Sequence, residues 1–141
     1  MNVTIKILPN KNILDIIPIM MKYTDNKEKQ SVLERRFLEM ATQNYECVVM
    51  YDNDKIIGLA GLWFMTRHYS GKSVEPDHIY ILDAYQNKGL GAQLFDWIHK
   101  YAKNKGCNTS ELNTYVQNYP SHKFYYNHGY EIFGYHFYKT L

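Results

Sequence analysis

The sequence predicts a mixed α/β domain, with about four helices on a mixed, mostly antiparallel sheet of six to seven strands. Three observations predict it. Apolar runs of period two are interleaved with segments whose apolar residues recur every three or four positions. Two of those runs, Tyr45–Tyr51 and Lys55–Met65, are separated only by Asp52-Asn53-Asp54, a turn short enough to force a hairpin. A third run, Ile79–Leu82, passes through a polar elbow with two glycines directly into an amphipathic stretch, so a strand feeds a helix there and one parallel crossover is implied.

In chain order, Val3, Ile5 and Ile7 alternate with polar residues and give a half-buried first strand ending at Pro9-Asn10. Asn12 then suits the cap of a helix carrying Ile13, Ile16, Ile17 and Met20, which Pro18 kinks or divides. Asp25–Lys29 reads as a loop, and Leu33, Phe37 and Met40 mark the inner face of a second helix. After the hairpin, Thr66–Asp77 reads as a polar connection. The helix after the elbow places Leu90, Leu94, Ile98 and Tyr101 on one side, with Gly106 as its stop. Cys107–Val116 reads as a strand, and Pro120 opens a short helix that Gly129 ends. Tyr130–Thr140 reads as a last, aromatic strand.

Composition narrows the function classes. The 141 residues suit one domain, 1–141, with a single core. Sixteen basic and fourteen acidic residues give a net charge of +2, which does not predict a nucleic-acid binder. No apolar run approaches the ~20 residues of a membrane span. Met1–Leu8 alternates instead of forming a leader, so a cytoplasmic protein is expected. Cys47 and Cys107 lie in apolar runs and read as buried thiols. The six histidines show no zinc-ligand spacing, and no metal is expected. Fourteen tyrosines suit a core or a half-buried pocket, because the ring is apolar and the hydroxyl needs a partner.

The elbow carries the chemistry. Gly89 and Gly91 free the backbone for positive φ and close approach. A helix opening there offers unpaired N–H groups to a phosphate. A Walker loop is excluded, since no Gly-x-x-x-x-Gly-Lys-Ser/Thr occurs, and a dinucleotide fingerprint fails because position 94 is Leu94. The remaining pattern, Gln86-x-x-Gly89-x-Gly91, resembles the acetyl-CoA signature Gln/Arg-x-x-Gly-x-Gly/Ala of the GNAT superfamily of N-acetyltransferases. About thirty residues later, Asn118, Ser121, Phe124-Tyr125 and Gly129-Tyr130 stand at the spacing of that family's second signature, with Ser121 for its usual Ala and Tyr130 for its usual Phe. The resemblance covers residues 55 to 135 closely and the first fifty only in element order.

The resemblance implies a GNAT-like three-layer fold and an acetyl-CoA-dependent transfer to a primary amine of a small molecule or peptide. It implies that the strand Ile79–Leu82 splays from its neighbour and offers backbone groups, those of Ile79 and above all Ile81, to the pantetheine arm. Gln86, Asn87, Lys88, Gly89, Leu90, Gly91 and Ala92 would hold the pyrophosphate, Asn118 would contact the coenzyme arm, and Tyr125 would aim its hydroxyl at the thioester sulfur.

The chemistry sets what else is needed. A primary amine of pKa ~10 is only about one part in a thousand neutral at pH 7, so the site must help remove a proton. A thiol of pKa near ~8.5 leaves without a strong acid, so Tyr125 is a hydrogen-bond donor to the departing sulfur. Asp77 and His78 are equal candidates for the base, with Glu75 and Glu111 nearby. Arg67, His68 and Lys72 are candidates to meet a substrate carboxylate or to form a solvated loop. Trp63, Tyr69, Tyr80 and Tyr115 read as core or pocket wall. The run Tyr130–Tyr138 is an edge suited to pairing with a second subunit in a homodimer. The competing reading is an acyl-CoA-binding module of the same fold that senses or docks without transferring.

Overall fold

The computed structural model describes residues 1–141. Its elements run β1 (Val3–Leu8), a 3-10 turn (Asn10–Ile16), α1 (Ile17–Tyr23), α2 (Gln30–Met40), β2 (Tyr45–Asp52), β3 (Lys55–Arg67), β4 (Gly71–Ile81), a second 3-10 turn (Asp83–Tyr85), α3 (Leu90–Asn104), β5 (Thr109–Ser110) and α4 (Tyr119–Asn127). The sheet order is β1-β2-β3-β4-β5, antiparallel throughout except for the parallel β4–β5 pair that α3 bridges.

Three layers follow from which side chains the sheet buries. On one face Leu8, Cys47, Val49 and Leu59 pack against Ile13, Ile16, Ile17 and Met20 before and within α1 and against Leu33 and Phe37 of α2. On the other, Val48, Met50, Ala60, Leu62 and Val74 meet Leu90, Leu94, Ile98 and Ala102 of α3. Strand β2 is buried on both faces, which is why it reads as an unbroken apolar run. Pro18 divides the first helical segment: a 3-10 turn precedes it, and α1 begins with it in its first turn.

The sheet has five strands, not six to seven. The missing one is Tyr130–Thr140, which forms no strand. Aromatic alternation supplies propensity but not a partner, and strands need a partner. Here β5 pairs with β4 only over Thr109 and Ser110, so the expected strand Cys107–Val116 is also cut short. The expected connection Thr66–Asp77 is wrong in the other direction. Only His68–Ser70 lie between β3 and β4, and Gly71–Ile81 is a strand. Its period two was masked because Ser73, Glu75 and Asp77 alternate with only one strongly apolar residue, Val74, while Pro76 interrupts the run.

Candidate active site

The elbow is built by two left-handed residues. Asn87 has φ +59° and Gly89 φ +77°. They turn the chain so that α3 starts at Leu90 with no side chain capping its first turn. The first bond back into the helix is Gln93 N to Gly89 O at 3.2 Å, which leaves the N–H groups of Leu90, Gly91 and Ala92 without a helical partner. A Cβ on Gly89 would meet nothing within 4 Å, so that glycine serves its φ and an open approach. A Cβ on Gly91 would make only ordinary contact with the Phe124 ring, at 3.5 Å. Lys88 lies over the Tyr85 ring at 5.7 Å.

Leu82 N donates to Ile57 O at 2.8 Å, and antiparallel alternation then turns the N–H and C=O of Ile81 away from β3. The Ile81 carbonyl is taken: Gln86 Nε2 donates to it at 2.9 Å and to Asp83 Oδ1 at 3.2 Å. Gln86 thus ties the elbow back to the end of β4 from the surface, and of the two Ile81 groups it is the N–H that this bond leaves free.

The strands part where the sequence resemblance implies a splay. Glu111 N donates to Val74 O at 2.9 Å, and no β4–β5 pairing continues past it, so a gap opens beside Glu75–Ile81 toward the elbow. Asn118 starts α4 with its side chain making no cap bond. Tyr125, in the last turn of α4, packs on Phe95 at 5.9 Å and on Tyr130 at 6.0 Å between centroids. Burial pushes its hydroxyl up, and Ser121 draws it partly back.

A β-bulge organises the other wall. The β3–β4 register slips between Leu59 and Gly61, and His78 takes φ +37°, a strained conformation for a non-glycine residue. The slip turns the His78 ring into the core, where it is 8% exposed and packs edge-on against Phe37 at 5.4 Å. Its Nε2 lies 2.7 Å from the Tyr45 hydroxyl, and its Nδ1 faces Asp77 Oδ2 at 3.5 Å. The tautomer with the proton on Nδ1 satisfies both at once. Gly61 makes room, since a Cβ there would overlap the His78 ring.

Asp77 is the accessible member, with its side chain 51% exposed. Its Oδ1 accepts from His78 N at 2.9 Å and its Oδ2 from Trp63 Nε1 at 3.2 Å. The His78 side chain, acting first among several donors, holds its carboxyl below the usual range. Glu75 lies on the same strand, and burial first, then the charge of Asp77, push its carboxyl up. Across the gap Asn113 Nδ2 reaches Glu75 Oε2 at 3.5 Å. Tyr23 of α1 packs edge-on against Tyr80 of β4 at 6.0 Å between centroids, and burial first, then the charge of Asp77, push its hydroxyl up.

The other candidates are occupied. Glu111 accepts from Arg67 Nε and Ser70 Oγ, both at 3.0 Å, and Lys72 donates to Lys105 O at 2.6 Å. Tyr45, Gly61 and Tyr23 were not expected at the site. A lone glycine inside a long apolar strand signals close approach or a bulge, and Gly61 carried that signal; Tyr45 and Tyr23 carried none. No group of His, Cys, Asp or Glu is arranged to hold a metal ion.

The gap, the uncapped helix start and the two signatures define an acyl-transferase class, and the comparisons agree. The model of the acetyltransferase (GNAT) family matches residues 13–130. An aminoalkylphosphonate N-acetyltransferase of Salmonella typhimurium (strain LT2) is 26% identical over 90 residues, 63% of this chain, and the match spans 58% of that protein. The N-acetyltransferase YjcF of Bacillus subtilis (strain 168), itself uncharacterised, is 31% identical over 106 residues, covering 75% of this chain and 69% of that one. The solved structure of AAC(6')-Iy in complex with the bisubstrate analogue CoA-S-monomethyl-acetylneamine superposes with a TM-score of 0.84 at 17% identity, covering 100% of this chain and 99% of that one. The chain belongs to the acetyltransferase (GNAT) family, and by class it is an N-acetyltransferase.

Proposed function

We propose that this protein transfers an acetyl group from acetyl-CoA directly to a primary amine of a small molecule or peptide. One observation carries the reading: the uncapped first turn of α3, opened by left-handed Gly89, lies at the end of the gap where β4 leaves β5. A pyrophosphate suits those N–H groups and the positive end of a fifteen-residue helix. The N–H of Ile81 and the free side chain of Asn118 line the path of a pantetheine arm. That geometry fits the coenzyme, which would supply the acetyl group as a thioester. The two cysteines, both free, are in keeping with a cytoplasmic setting.

The chain's own groups divide the remaining work. Tyr125 donates its hydroxyl proton to a hydrogen bond at the departing sulfur. Of the two candidate bases, His78 is sealed behind Tyr45 and Phe37, so Asp77 meets the acceptor ammonium and His78 orients it. The raised carboxyl of Glu75 is the better matched of the two acids to take the proton, because a base works best with its pKa near the working pH. Rate enhancement rests mainly on holding two substrates in line.

The test is release of free thiol from acetyl-CoA against a panel of amines, amino acids and peptides. Release stimulated by one amine class supports the reading. Coenzyme binding with no acceptor-dependent release across the panel would overturn it in favour of a binding module.

A further inference from the structure

The second signature usually closes on Phe, and this chain closes it on Tyr130. The added hydroxyl is used. It lies 2.6 Å from Ser110 Oγ and 2.9 Å from His99 Nε2, so it joins the last ladder residue of β5 to α3. Its single proton goes to one neighbour while the other donates back. With a neutral imidazole protonated on Nδ1, Tyr130 donates to His99 Nε2 and Ser110 donates to Tyr130. Burial, first among the causes, pushes the Tyr130 hydroxyl up to about 12, so it keeps its proton at any working pH.

The same residue grips Tyr125 in two further ways. Gly129 takes φ +87° just past the end of α4 and turns the chain back. Tyr130 N then donates to Tyr125 O at 3.0 Å and Gly129 N to Tyr126 O at 3.1 Å, which is the bond pair of a Schellman stop. The Tyr130 ring stands edge-on to the Tyr125 ring at 6.0 Å between centroids. Phe95 of α3, only 1% exposed, packs against both, at 6.1 Å from Tyr130 and 5.9 Å from Tyr125. Main chain, ring and hydroxyl of one residue thus tie Tyr125 to α3 and to β5, the strand whose departure from β4 opens the gap.

We infer that Tyr130 is a positioning residue for the transfer: its hydroxyl, pinned between His99 and Ser110, sets the orientation in which Tyr125 meets the departing sulfur. This rests on the acetyl-transfer reading and adds to it a residue that touches no substrate. A phenylalanine here keeps the ring contacts and the Schellman bonds and loses only the two hydroxyl bonds. The ring can then rock between α3 and β5, and Tyr125 moves with it. Transfer between two substrates held in line loses rate for misplacements of about 1 Å.

The experiment reads Tyr130→Phe in the full chain by spectrum and by kinetics, with Tyr126→Phe as the control because it removes an exposed hydroxyl from the same helix. Tyrosine labelled with carbon-13 at Cζ reports Tyr125 directly, its resonance being the one lost in Tyr125→Phe. That resonance is expected to move in Tyr130→Phe and to stay in place in Tyr126→Phe. In single turnovers, Tyr130→Phe is expected to slow the chemical step about threefold to tenfold, with acetyl-CoA affinity and acceptor KM each within about twofold of the parent. In a Tyr125→Phe background the same substitution is expected to change that step by less than about twofold, because no hydroxyl is left to aim. Equal slowing in both backgrounds would reduce Tyr130 to a packing residue and overturn the proposal. So would an unchanged chemical step, and so would a Tyr125 resonance that Tyr130→Phe leaves in place or that Tyr126→Phe moves as far. The spectrum is read without coenzyme or acceptor, so failure of this inference and failure of the transfer reading are seen separately.

Discussion

The hydroxyl of Tyr45 lies 2.7 Å from Nε2 of His78 in the core, and the other ring nitrogen of that histidine faces Asp77. The exposed carboxylate of the cleft is therefore positioned from behind by a buried pair that no substrate touches. Burial and nearby groups push the Tyr45 hydroxyl well above its ordinary value, so it remains a donor at any working pH.

Removing that donor leaves a buried imidazole nitrogen unpaired. Tyr45→Phe should cost about 1–3 kcal/mol of stability, read from urea unfolding, because an unsatisfied buried acceptor keeps its full desolvation penalty. A variant as stable as the parent would mean that the contact holds nothing.

Gly61 is the space His78 occupies. Gly61→Ala should displace the ring, destabilise the fold by about 1–3 kcal/mol through overpacking and lower turnover, while acetyl-CoA affinity stays near that of the parent. Equal loss of coenzyme affinity would show that the bulge and the elbow are not separable.

Glu75 gives a signed pH prediction. Its carboxyl is raised in the fold, so its contribution to stability is present below the ordinary carboxylate value and is lost as pH rises through the folded value. At neutral pH the ionised group is a liability. Glu75→Gln should raise the melting temperature at pH 7 and make no difference in acid below the carboxylate range. For Asp77, whose value is lowered, the sign reverses: its stabilisation is present above the ordinary value and is lost as pH falls through the folded one.

Tyr125→Phe should slow the chemical step about tenfold to a hundredfold, the worth of one hydrogen bond to a developing charge, with acetyl-CoA affinity little changed. Single-turnover kinetics separate the two. An unchanged chemical step removes Tyr125 from the mechanism.

The fold was legible wherever periodicity and turn chemistry agreed. The hairpin at Asp52-Asn53-Asp54, the division at Pro18, and α3 from Leu90 to its stop at Gly106 all follow from local residues. Strand β4 was hidden because it carries Lys72, Ser73, Glu75, Asp77 and His78 with Pro76 among them, and such polar content reads as loop. The strand Tyr130–Thr140 failed for the opposite reason: its propensity is local, but it meets no partner strand within the chain. At the site, the elbow and α4 were readable because both signatures sit on contiguous residues. The Tyr45–His78–Asp77 chain was not, because a bulge that rotates one side chain into the core depends on register between distant strands, and register is not written in either strand alone.

The central claim is that the α3 elbow receives the coenzyme. Calorimetric titration of the parent protein and of Gly89→Val with acetyl-CoA tests it most directly. A β-branched residue is strained at φ +77°, by roughly 1–2 kcal/mol or more, although the space beside it is open. The account predicts saturable binding at one site per chain for the parent and at least about tenfold weaker binding for a folded Gly89→Val, the equivalent of ~1.4 kcal/mol. No binding by the parent, or equal binding by both, would contradict it.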